Sequence, residues 1–348
     1  MKNPLVSIII LNFNAGKLLE NCIESLYKTE YNNFEIIVVD NKSSDNSHIT
    51  CKKKFRDVIL IENSKNLGFC EGNNVGIKKA NGKFLVILNP DTEVSETWLS
   101  ELYNAFKENG EGFYQPKILS LNNKKEIQST GNMIQLFGFG FTRDREELDN
   151  KQYGNIEQIG YASGACFFTS VEVFKKVGLF DPFLFLYHDD LELGWRSLQK
   201  QIKSFFVPKS TIYHAESPNL KWSNKKFYWL ERNRKYCILT HYSKKSYKKM
   251  RFSFFVIDLM VLVFYFSKGM IITKIKADLD IWKNRKIIKE KNEELEKNRI
   301  VSDTEIIKIF LDKIEIPKGV TSGKMNNLLN FVLERLSYRI RGEMRVIK

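Results

Sequence analysis

A chain of 348 residues, 43% apolar and 28% charged, is long enough for one large core or two domains, and this composition excludes a disordered protein. Its net charge of +14 is uneven, because residues 1–220 hold 25 basic and 27 acidic side chains whereas residues 221–348 hold 30 and 14. The basic character therefore belongs to the last third of the chain, where it indicates nucleic acid or an anionic membrane as a partner.

The first 90 residues contain four short apolar runs in which polar residues do not alternate: LVSIIIL (5–11), EIIVVD (35–40), VILIEN (58–63) and FLVILN (84–89). Such runs are typical of strands covered on both faces, and hence of a parallel sheet. Helical patterns at 16–29 and 73–82 lie between them. The sequence therefore predicts an α/β fold with a doubly wound, mostly parallel sheet.

Polar residues follow the predicted strands where each strand ends: Asn12, Asp40, Asn63 and Asn89 to Asp91. Ligands of such sheets bind beyond the carboxyl ends of the strands, so this rim is the predicted binding site. The chain has no GxGxxG after its first strand and no GxxxxGK[ST]. A nucleotide would therefore be held by side chains and turns.

A second acidic cluster, HDDLE at 188–192, follows the segment SGACFF (163–168) and an apolar helix at 171–177. Acidic residues in the first turn of a helix are explained by capping. However, adjacent carboxylates at Asp189 and Asp190 after an apolar run exceed what capping requires. Arg196 is placed to pair with Glu192 one helical turn earlier.

The C-terminal third begins with a basic stretch at 244–251, followed by 13 residues, 254–266, that carry one charge. A span needs about 20 apolar residues, so we favour a helix that lies in the membrane interface, with a spanning helix as the alternative. A charged helix is predicted at 276–299. We expect one domain over 1–240, with halves at 1–110 and 111–240, and a helical extension over 241–348.

The five scattered cysteines form no CxxC pair, and neither a zinc site nor a disulfide framework is predicted; we interpret them as reduced core thiols of a cytosolic protein. The apolar run at 5–11 lacks a small-residue cleavage site, so no signal peptide is predicted. His48 and His241 are predicted to be surface residues.

Taken in order and spacing, several segments resemble the inverting family 2 nucleotide-sugar glycosyltransferases, and within them the rhamnosyltransferase-like subgroup. They are SIIILNFN, VVDNKSSDNS, NLGFCEGNNVGIKKANGKFLVILNPDTEV, SGACFF, VGLFDPFLFLYHDDLELGWR and IYHAESPN. The resemblance runs from about residue 5 to 240, and it implies the GT-A form of the predicted sheet.

The resemblance implies a role for each matching position. The residues implied to bind the nucleotide sugar are Asn12, Phe13, Asn14, Asp40, Asn41, Asn66, Gly68, Asn74, Asn89 and Gly164. Asp91 and His214 are implied to hold Mn²⁺ or Mg²⁺, and Asp190 is implied to be the catalytic base, with Asp189 beside it. Burial and that neighbour are expected to raise the pKa of Asp190. Glu192, Trp195 and Arg196 are implied to bind or support the acceptor.

The chain departs from the family pattern in two places. Asn89 stands where the metal motif has its first aspartate, and the acidic motif has Asp189 in place of glutamate and Glu192 in place of aspartate. A catalytically silent scaffold of glycan assembly is therefore the alternative to an enzyme.

The predicted enzyme moves a sugar, rhamnose by the subgroup resemblance, from a dTDP- or UDP-linked donor to a lipid-linked or cell-surface glycan. It is expected on the cytoplasmic face of the membrane as a peripheral protein. Nucleic acid is not an expected partner, since basic and acidic residues alternate from residue 276 onward.

Overall fold

The computed structural model describes residues 3–215, 223–316 and 323–346. The last four residues of the IYHAESPN motif, 216–219, lie outside the described ranges. The strands are β1 (Val6–Asn12), β2 (Phe34–Asp40), β3 (Ile59–Glu62), β4 (Phe84–Leu88), β5 (Thr92–Val94), β6 (Gly112–Ser120), β7 (Ile127–Ser129), β8 (Asn132–Ile134), β9 (Gly140–Thr142), β10 (Glu157–Ile159), β11 (Cys166–Ser170) and β12 (Lys203–His214).

The large sheet has the order β10-β12-β6-β11-β4-β1-β2-β3, with β5 paired to β12 and β7 to β6. The half made of β4, β1, β2 and β3 is parallel, as predicted. The sheet as a whole is mixed rather than mostly parallel, because β11 runs antiparallel to both β4 and β6. Strands β8 and β9 form a separate pair. The α/β fold class is confirmed, and the antiparallel strands are what the four early runs did not indicate.

The helices up to residue 198 are α1 (Lys17–Leu26), α2 (Ser47–Lys54), α3 (Gly68–Lys79), α4 (Trp98–Asn109), α5 (Val171–Val177) and α6 (Asp189–Leu198). Strand side chains such as Ile8, Val86 and Phe168 pack with helix residues such as Ile23 and Leu102 in one continuous core. Helix α2 was not predicted, because its apolar residues do not repeat at a helical period.

The chain divides into two compact units. Within the described residues, the first comprises 3–132, 142–194 and 202–215, and contains the large sheet. The second comprises 133–141, 195–201, 223–316 and 323–346. Its long helices are α7 (Asn224–His241), α8 (Lys244–Ser267), α9 (Ile271–Lys283), α10 (Arg285–Asn298), α11 (Asp303–Ile309) and α12 (Gly323–Met344).

Helix α8 contains the predicted apolar stretch, 254–266, and extends beyond it at both ends. Its 24 residues, with a mean hydropathy of 1.8 over the most apolar window, make it long and apolar enough to cross a membrane by length and composition. The predicted charged helix at 276–299 is two helices, α9 and α10, which break at Asn284. All five cysteines are buried and free, as predicted.

Candidate active site

The first part of the site is a buried polar network at the carboxyl ends of β1 and β2. Parallel pairing sets Asn12 opposite Asp40, and the Asn12 Nδ2 group donates to Asp40 Oδ1 at 2.8 Å. The backbone N–H of Ser43 donates to the other carboxylate oxygen at 2.8 Å. Both oxygens of Asp40 are therefore fixed in direction by the strand register and by the turn that follows β2.

His48 belongs to this network, so the prediction of a surface residue is wrong. Its Nδ1 lies 3.4 Å from Asp40 Oδ1, and its Nε2 lies 3.4 Å from Glu62 Oε1. The imidazole is 5% exposed because α2, the helix that the sequence did not predict, turns it back over the ends of β2 and β3.

The loops after β1 and β2 are hydrogen-bonded to each other. Asn14 Oδ1 accepts the N–H of Ser44 at 2.7 Å, and Asp45 accepts the N–H of Gly16 at 2.8 Å. Between these bonds the Phe13 ring is half exposed. An exposed ring on a fixed loop is suited to contact a flat heterocycle.

Asn41 connects this rim to the start of α3. Its Nδ2 donates to the Gly68 carbonyl at 2.9 Å, and its Oδ1 accepts Asn63 Nδ2 at 2.9 Å. Asn66 in turn accepts the N–H of Gly68 at 2.8 Å. The Asn63 N–H donates to the Asp40 carbonyl at 2.9 Å, so Asn12, Asp40 and Asn63 belong to one connected network, which does not include Asn89 to Asp91.

Asn74 is placed differently. Its Nδ2 donates to the Phe180 carbonyl at 2.9 Å, and its Oδ1 accepts the Phe180 N–H at 3.1 Å. The side chain is 2% exposed and both ends of its amide are used on one backbone residue. It therefore fixes the segment before the acidic motif and does not reach outward to a ligand.

The segment from Phe185 to His188 approaches α3 closely and has an unusual backbone. Phe185, Tyr187 and His188 have φ values of 62°, 66° and 60°, a left-handed region that side chains with Cβ seldom adopt. The Phe185 carbonyl accepts the N–H of Phe69 at 2.6 Å. This contact holds the strained segment directly before the carboxylates that open α6.

Gly68→Ala is expected to lower the free energy of unfolding by more than about 1–2 kcal/mol, the cost of a left-handed residue with Cβ. Gly68 has φ 76°, and a Cβ there would lie 2.5 Å from the Phe185 carbonyl oxygen. Chemical denaturation measures the change. Gly269→Ala is the matched control, because that glycine has φ 68° and a Cβ would contact nothing within 4 Å. Equal losses in the two variants would show that the close approach to Phe185 is unimportant.

The second part of the site lies where β5 meets β12. Antiparallel pairing sets His214 opposite Thr92, one residue after Asp91. His214 Nε2 lies 3.2 Å from Asp91 Oδ1 and 3.4 Å from Asn89 Nδ2. The turn that holds Asn89 is closed by Thr92 Oγ1, which donates to the Asn89 carbonyl at 2.7 Å. Asn89, Asp91 and His214 thus converge on one point, although Asn89 and His214 are 125 positions apart in the chain.

Gln128 on β7 determines which His214 nitrogen carries the proton. Gln128 Nε2 donates to the His214 carbonyl at 2.8 Å, and this bond fixes the orientation of the amide. Gln128 Oε1 then faces His214 Nδ1 at 2.9 Å, so Nδ1 must be the N–H donor. In the neutral ring, the Nε2 lone pair therefore points toward Asp91.

A lone pair and a carboxylate oxygen that face each other need a cation between them. Asp91 Oδ1 is buried and has no hydrogen-bond partner among the described residues. An oxygen and an imidazole nitrogen at this separation fit a divalent cation such as Mn²⁺ or Mg²⁺, whereas a proton on the ring would make an ion pair. The residues present therefore fit a metal.

Gln128→Leu is expected to weaken Mn²⁺ binding about 10- to 100-fold, the usual effect of losing the partner that orients a ligating histidine. Electron paramagnetic resonance of free Mn²⁺ in the presence of a nucleoside diphosphate measures the affinity without turnover. The control is Gln158→Leu on β10, because Gln158 is an exposed strand glutamine. If Gln128→Leu bound Mn²⁺ with wild-type affinity, the proposed role of Gln128 in orienting His214 would be refuted.

The third part of the site is Asp190, which SGACFF connects to the metal motif. The Gly164 N–H donates to Asp190 Oδ2 at 3.1 Å, and the next residue, Ala165, accepts the N–H of Asn89 through its carbonyl at 2.9 Å. The Leu191 N–H donates to the other oxygen of Asp190 at 2.8 Å. Gly164 therefore supports the predicted base, and one short segment brings Asp190 beside the Asn89 turn.

Burial raises the pKa of Asp190 above its ordinary value, which confirms the predicted direction. For Asp189, burial and then the charge of Asp190 raise the pKa well above the ordinary value. Of the two, Asp189 is the more deeply buried side chain. Because the two carboxyl groups are buried side by side, the pair resists carrying two negative charges.

Glu192, Trp195 and Arg196 are all buried, and the predicted acceptor contact is wrong for Trp195, whose side chain is 0% exposed. In the second unit, Trp195 stacks on His241 with ring centroids 5.1 Å apart and packs edge-on against Phe310. His241 is also 0% exposed, so its predicted surface position is wrong. Because Glu192, Trp195 and Arg196 are buried, we assign them a supporting role.

One other acidic cluster, in the second unit, consists of Glu231, Asp258 and Asp278. Its charges are compensated within the protein, since Lys274 lies 2.9 Å from Asp258 and 2.7 Å from Asp278. Lys235 lies 2.8 Å from Asp258. These paired charges join α7, α8 and α9, and we interpret the cluster as structural.

Comparison with known proteins shows which enzymes the chain resembles. Residues 7–178 match the sequence family described as Glycosyl transferase family 2. This segment is therefore similar to family 2 glycosyltransferases. It contains the rim and the Asn89–Asp91 motif, whereas Asp190 and His214 lie beyond it.

Named relatives are glycosyltransferases. The chain is 28% identical over 204 residues to "Low-salt glycan biosynthesis hexosyltransferase Agl10" of Haloferax volcanii, covering 57% of this chain and 62% of that protein. It is 34% identical over 182 residues to "Glycosyltransferase GlyG" of Streptococcus pneumoniae, covering 50% and 58%. It is 29% identical over 215 residues to "GalNAc(5)-diNAcBac-PP-undecaprenol beta-1,3-glucosyltransferase" of Campylobacter jejuni, covering 60% and 63%.

The chain thus spans about three fifths of the length of these relatives. Among solved structures, GalNAc-T7 with UDP, GalNAc and Mn²⁺ matches with a TM-score of 0.58 at 19% identity, covering 71% of this chain and 49% of that one. At this identity the likeness establishes the fold, which is of the GT-A type as predicted. The rhamnosyltransferase-like subgroup finds no support among these matches.

Proposed function

We propose that this protein is an inverting, metal-dependent glycosyltransferase. The observation that carries the proposal is the facing pair of Asp91 Oδ1 and His214 Nε2, 3.2 Å apart, joined through Gly164 and Ala165 to Asp190. A cation-binding pair beside a carboxylate of raised pKa is what sugar transfer from a diphosphate requires.

The rim of the sheet is proposed to bind the nucleotide. Asp40 and Asn41, both 2% exposed, hold the loops of the rim in place, and the half-exposed Phe13 ring offers a face to the base. Because these groups are already hydrogen-bonded into their directions, little ordering is needed on binding. We propose a dTDP- or UDP-linked donor for this pocket.

Asp91 and His214 are proposed to hold Mn²⁺ or Mg²⁺, with Asn89 beside them. When bound, the cation would neutralise the negative charge that develops on the departing diphosphate. Asp190 would accept the proton of the attacking acceptor hydroxyl as the new glycosidic bond forms on the face opposite the leaving group. A nucleoside diphosphate leaves without protonation, so one base suffices.

Asp190 is suited to this role by its two backbone hydrogen bonds, which fix the carboxylate while leaving lone pairs for the acceptor proton. Asp189, the more deeply buried of the two acids, lies directly beside it. Two contacts position the segment that carries Asp189 and Asp190. They are the hydrogen bond from Asn74 to the Phe180 carbonyl and the one from the Phe69 N–H to the Phe185 carbonyl.

The acceptor is proposed to be a lipid-linked or cell-surface glycan, by analogy with the undecaprenol-linked acceptor named for the Campylobacter relative. We propose a peripheral enzyme on the cytoplasmic face of the membrane. Rhamnose stays the sugar suggested by the sequence resemblance, and the hexose-transferring relatives make glucose and galactose its competitors.

The test is release of nucleoside diphosphate from a panel of donors (dTDP-rhamnose, UDP-glucose, UDP-galactose, UDP-N-acetylglucosamine and GDP-mannose). Each donor is incubated with membrane lipid extract and Mn²⁺, then with EDTA. Release from one donor that EDTA abolishes supports the proposal and identifies the sugar. Tight nucleotide binding without release from any donor would favour a silent scaffold, and no nucleotide binding would refute the rim as a donor site.

A further inference from the structure

Helices α8 and α9 of the second unit expose large apolar side chains that no other part of the described chain covers. On α8, Phe255 and Phe266 are 67% and 72% exposed. On α9, Ile272 and Trp282 are 66% and 59% exposed. Isolated exposed apolar residues are ordinary, but a run of them along neighbouring helices marks an interaction surface.

The spacing places these residues on one face of each helix. The exposed large apolar residues of α8 are Phe252, Phe255, Leu259, Leu262, Val263 and Phe266, and those of α9 are Ile272, Ile275, Leu279 and Trp282. Steps of three and four residues keep them in a single stripe on each helix. We call the two stripes together the α8–α9 face.

The other side of α8 is packed inside the second unit. Tyr265 donates to the Phe227 carbonyl at 2.8 Å, and the Phe254 ring packs edge-on against Phe137 with centroids 5.7 Å apart. Asp258, the one charge in the apolar stretch, pairs with Lys235 and Lys274. A helix that crossed a bilayer would have to give up these contacts, so its length alone does not make α8 a membrane span.

Cations surround the α8–α9 face. Arg285 lies over the Trp282 ring, 4.6 Å from its centroid, and Arg339 lies over the Phe252 ring at 4.9 Å. Lys276 and Lys283 are exposed on α9, each four residues after an exposed apolar residue. Long basic side chains beside an apolar stripe can place their charges at a lipid headgroup while their stems cover apolar surface.

We propose that the α8–α9 face docks on an anionic lipid bilayer, with both helices lying along the membrane plane. The charge decides between occupants. A second copy would bring a matching basic surface against this one, since residues 221–348 hold 30 basic and 14 acidic side chains. Anionic headgroups complement that charge, and acyl chains cover the apolar stripes. The inference specifies the membrane partner of the proposed function, and vesicle binding is measured without donor or turnover so that either can fail separately.

The experiment is sedimentation of the full chain with phosphatidylcholine vesicles, with and without phosphatidylglycerol. The protein is expected to bind the anionic vesicles and to be released by salt. Phe255→Ser with Phe266→Ser is expected to weaken binding at least about 100-fold, because each buried phenylalanine contributes about tenfold or more. The control is Leu148→Ser with Ile300→Ser, which removes two residues that are 56% and 65% exposed outside the α8–α9 face.

Lys276→Gln with Lys283→Gln tests the charge separately. Binding to anionic vesicles is expected to fall about tenfold or more, with a weaker dependence on salt, and binding to neutral vesicles is expected not to change.

Three outcomes would contradict the proposal. An equal loss of vesicle binding in the Leu148→Ser with Ile300→Ser control would overturn the assignment of the face. A dimer in light scattering that Phe255→Ser with Phe266→Ser converts to a monomer would identify a second copy as the occupant. If washing cell membranes with high salt or alkaline carbonate did not release the protein, α8 would be a membrane-spanning helix.

Discussion

Asp190→Asn is expected to lower the rate of sugar transfer about 10²- to 10⁴-fold, the usual contribution of a general base. The Gly164 and Leu191 N–H groups donate to different oxygens of Asp190, and the amide keeps an oxygen for only one of them. A modest loss of stability is therefore expected, whereas the affinity for the donor should not change. The measurement is nucleoside-diphosphate release at saturating donor and acceptor, together with nucleotide affinity by calorimetry.

The neighbouring acid supplies a sharp comparison. Asp189→Asn changes the more deeply buried neighbour, to which we assign no part in proton transfer, so this variant should keep far more activity than Asp190→Asn. Glu172→Gln, an exposed carboxylate on α5, is the control for the substitution itself. The opposite order of activity in the two aspartate variants would move the base to Asp189.

The pH dependence follows from the raised pKa of Asp190. A base must be unprotonated, so activity is expected to be lost as the pH falls through that pKa. Because burial raises the pKa, the loss should occur at a higher pH than for an ordinary aspartate. A pH–rate profile that stays flat to the ordinary range of aspartate would contradict the assignment.

Asp91→Asn is expected to lower transfer about 10²- to 10³-fold, a loss like that of one group that stabilises charge in a transition state. The reason is that its Oδ1, facing His214 Nε2, has no other partner among the described residues. Mn²⁺ affinity, measured by electron paramagnetic resonance with bound nucleoside diphosphate, should fall in parallel. Glu93→Gln, an acid two residues further along the chain on β5, is the matched control.

The alternative occupant of this pair is a proton, and it gives different results. With an imidazolium–carboxylate ion pair in place of a metal, EDTA would have no effect on activity. A metal predicts activity that EDTA removes and Mn²⁺ or Mg²⁺ restores. Retained activity of Asp91→Asn in the presence of EDTA would refute the metal site.

Several residues of the site were visible in the sequence because their signals are local. A strand that ends in a polar residue puts that residue at a sheet edge, and Asn12, Asp40 and Asn63 are all found there. The acids at the start of α6 could be recognised because two adjacent carboxylates exceed the needs of a helix end. The pairing of His214 with Asp91, by contrast, came from the family resemblance.

Other residues could not have been found from local patterns. Gln128 lies on a three-residue strand, and nothing in IQS distinguishes it from any surface glutamine. His48 is buried only because α2 turns back over β2 and β3. Trp195 was expected near the acceptor, yet it is enclosed in the second unit, since an apolar side chain next to a functional motif can as readily belong to a core.

The parallel half of the sheet, the polar rim and the basic, apolar character of the C-terminal helices could all be predicted from the residue patterns. These features depend on the order of side chains within one element, which hydrophobic burial and strand geometry translate directly into structure. Three features required the folded chain: the antiparallel insertion of β11 in the sheet, the atoms of Asp91 and His214 that face each other, and the exposed side of α8. Those features depend on pairing between segments far apart in the chain, and the residue pattern within one segment does not predict such non-local contacts.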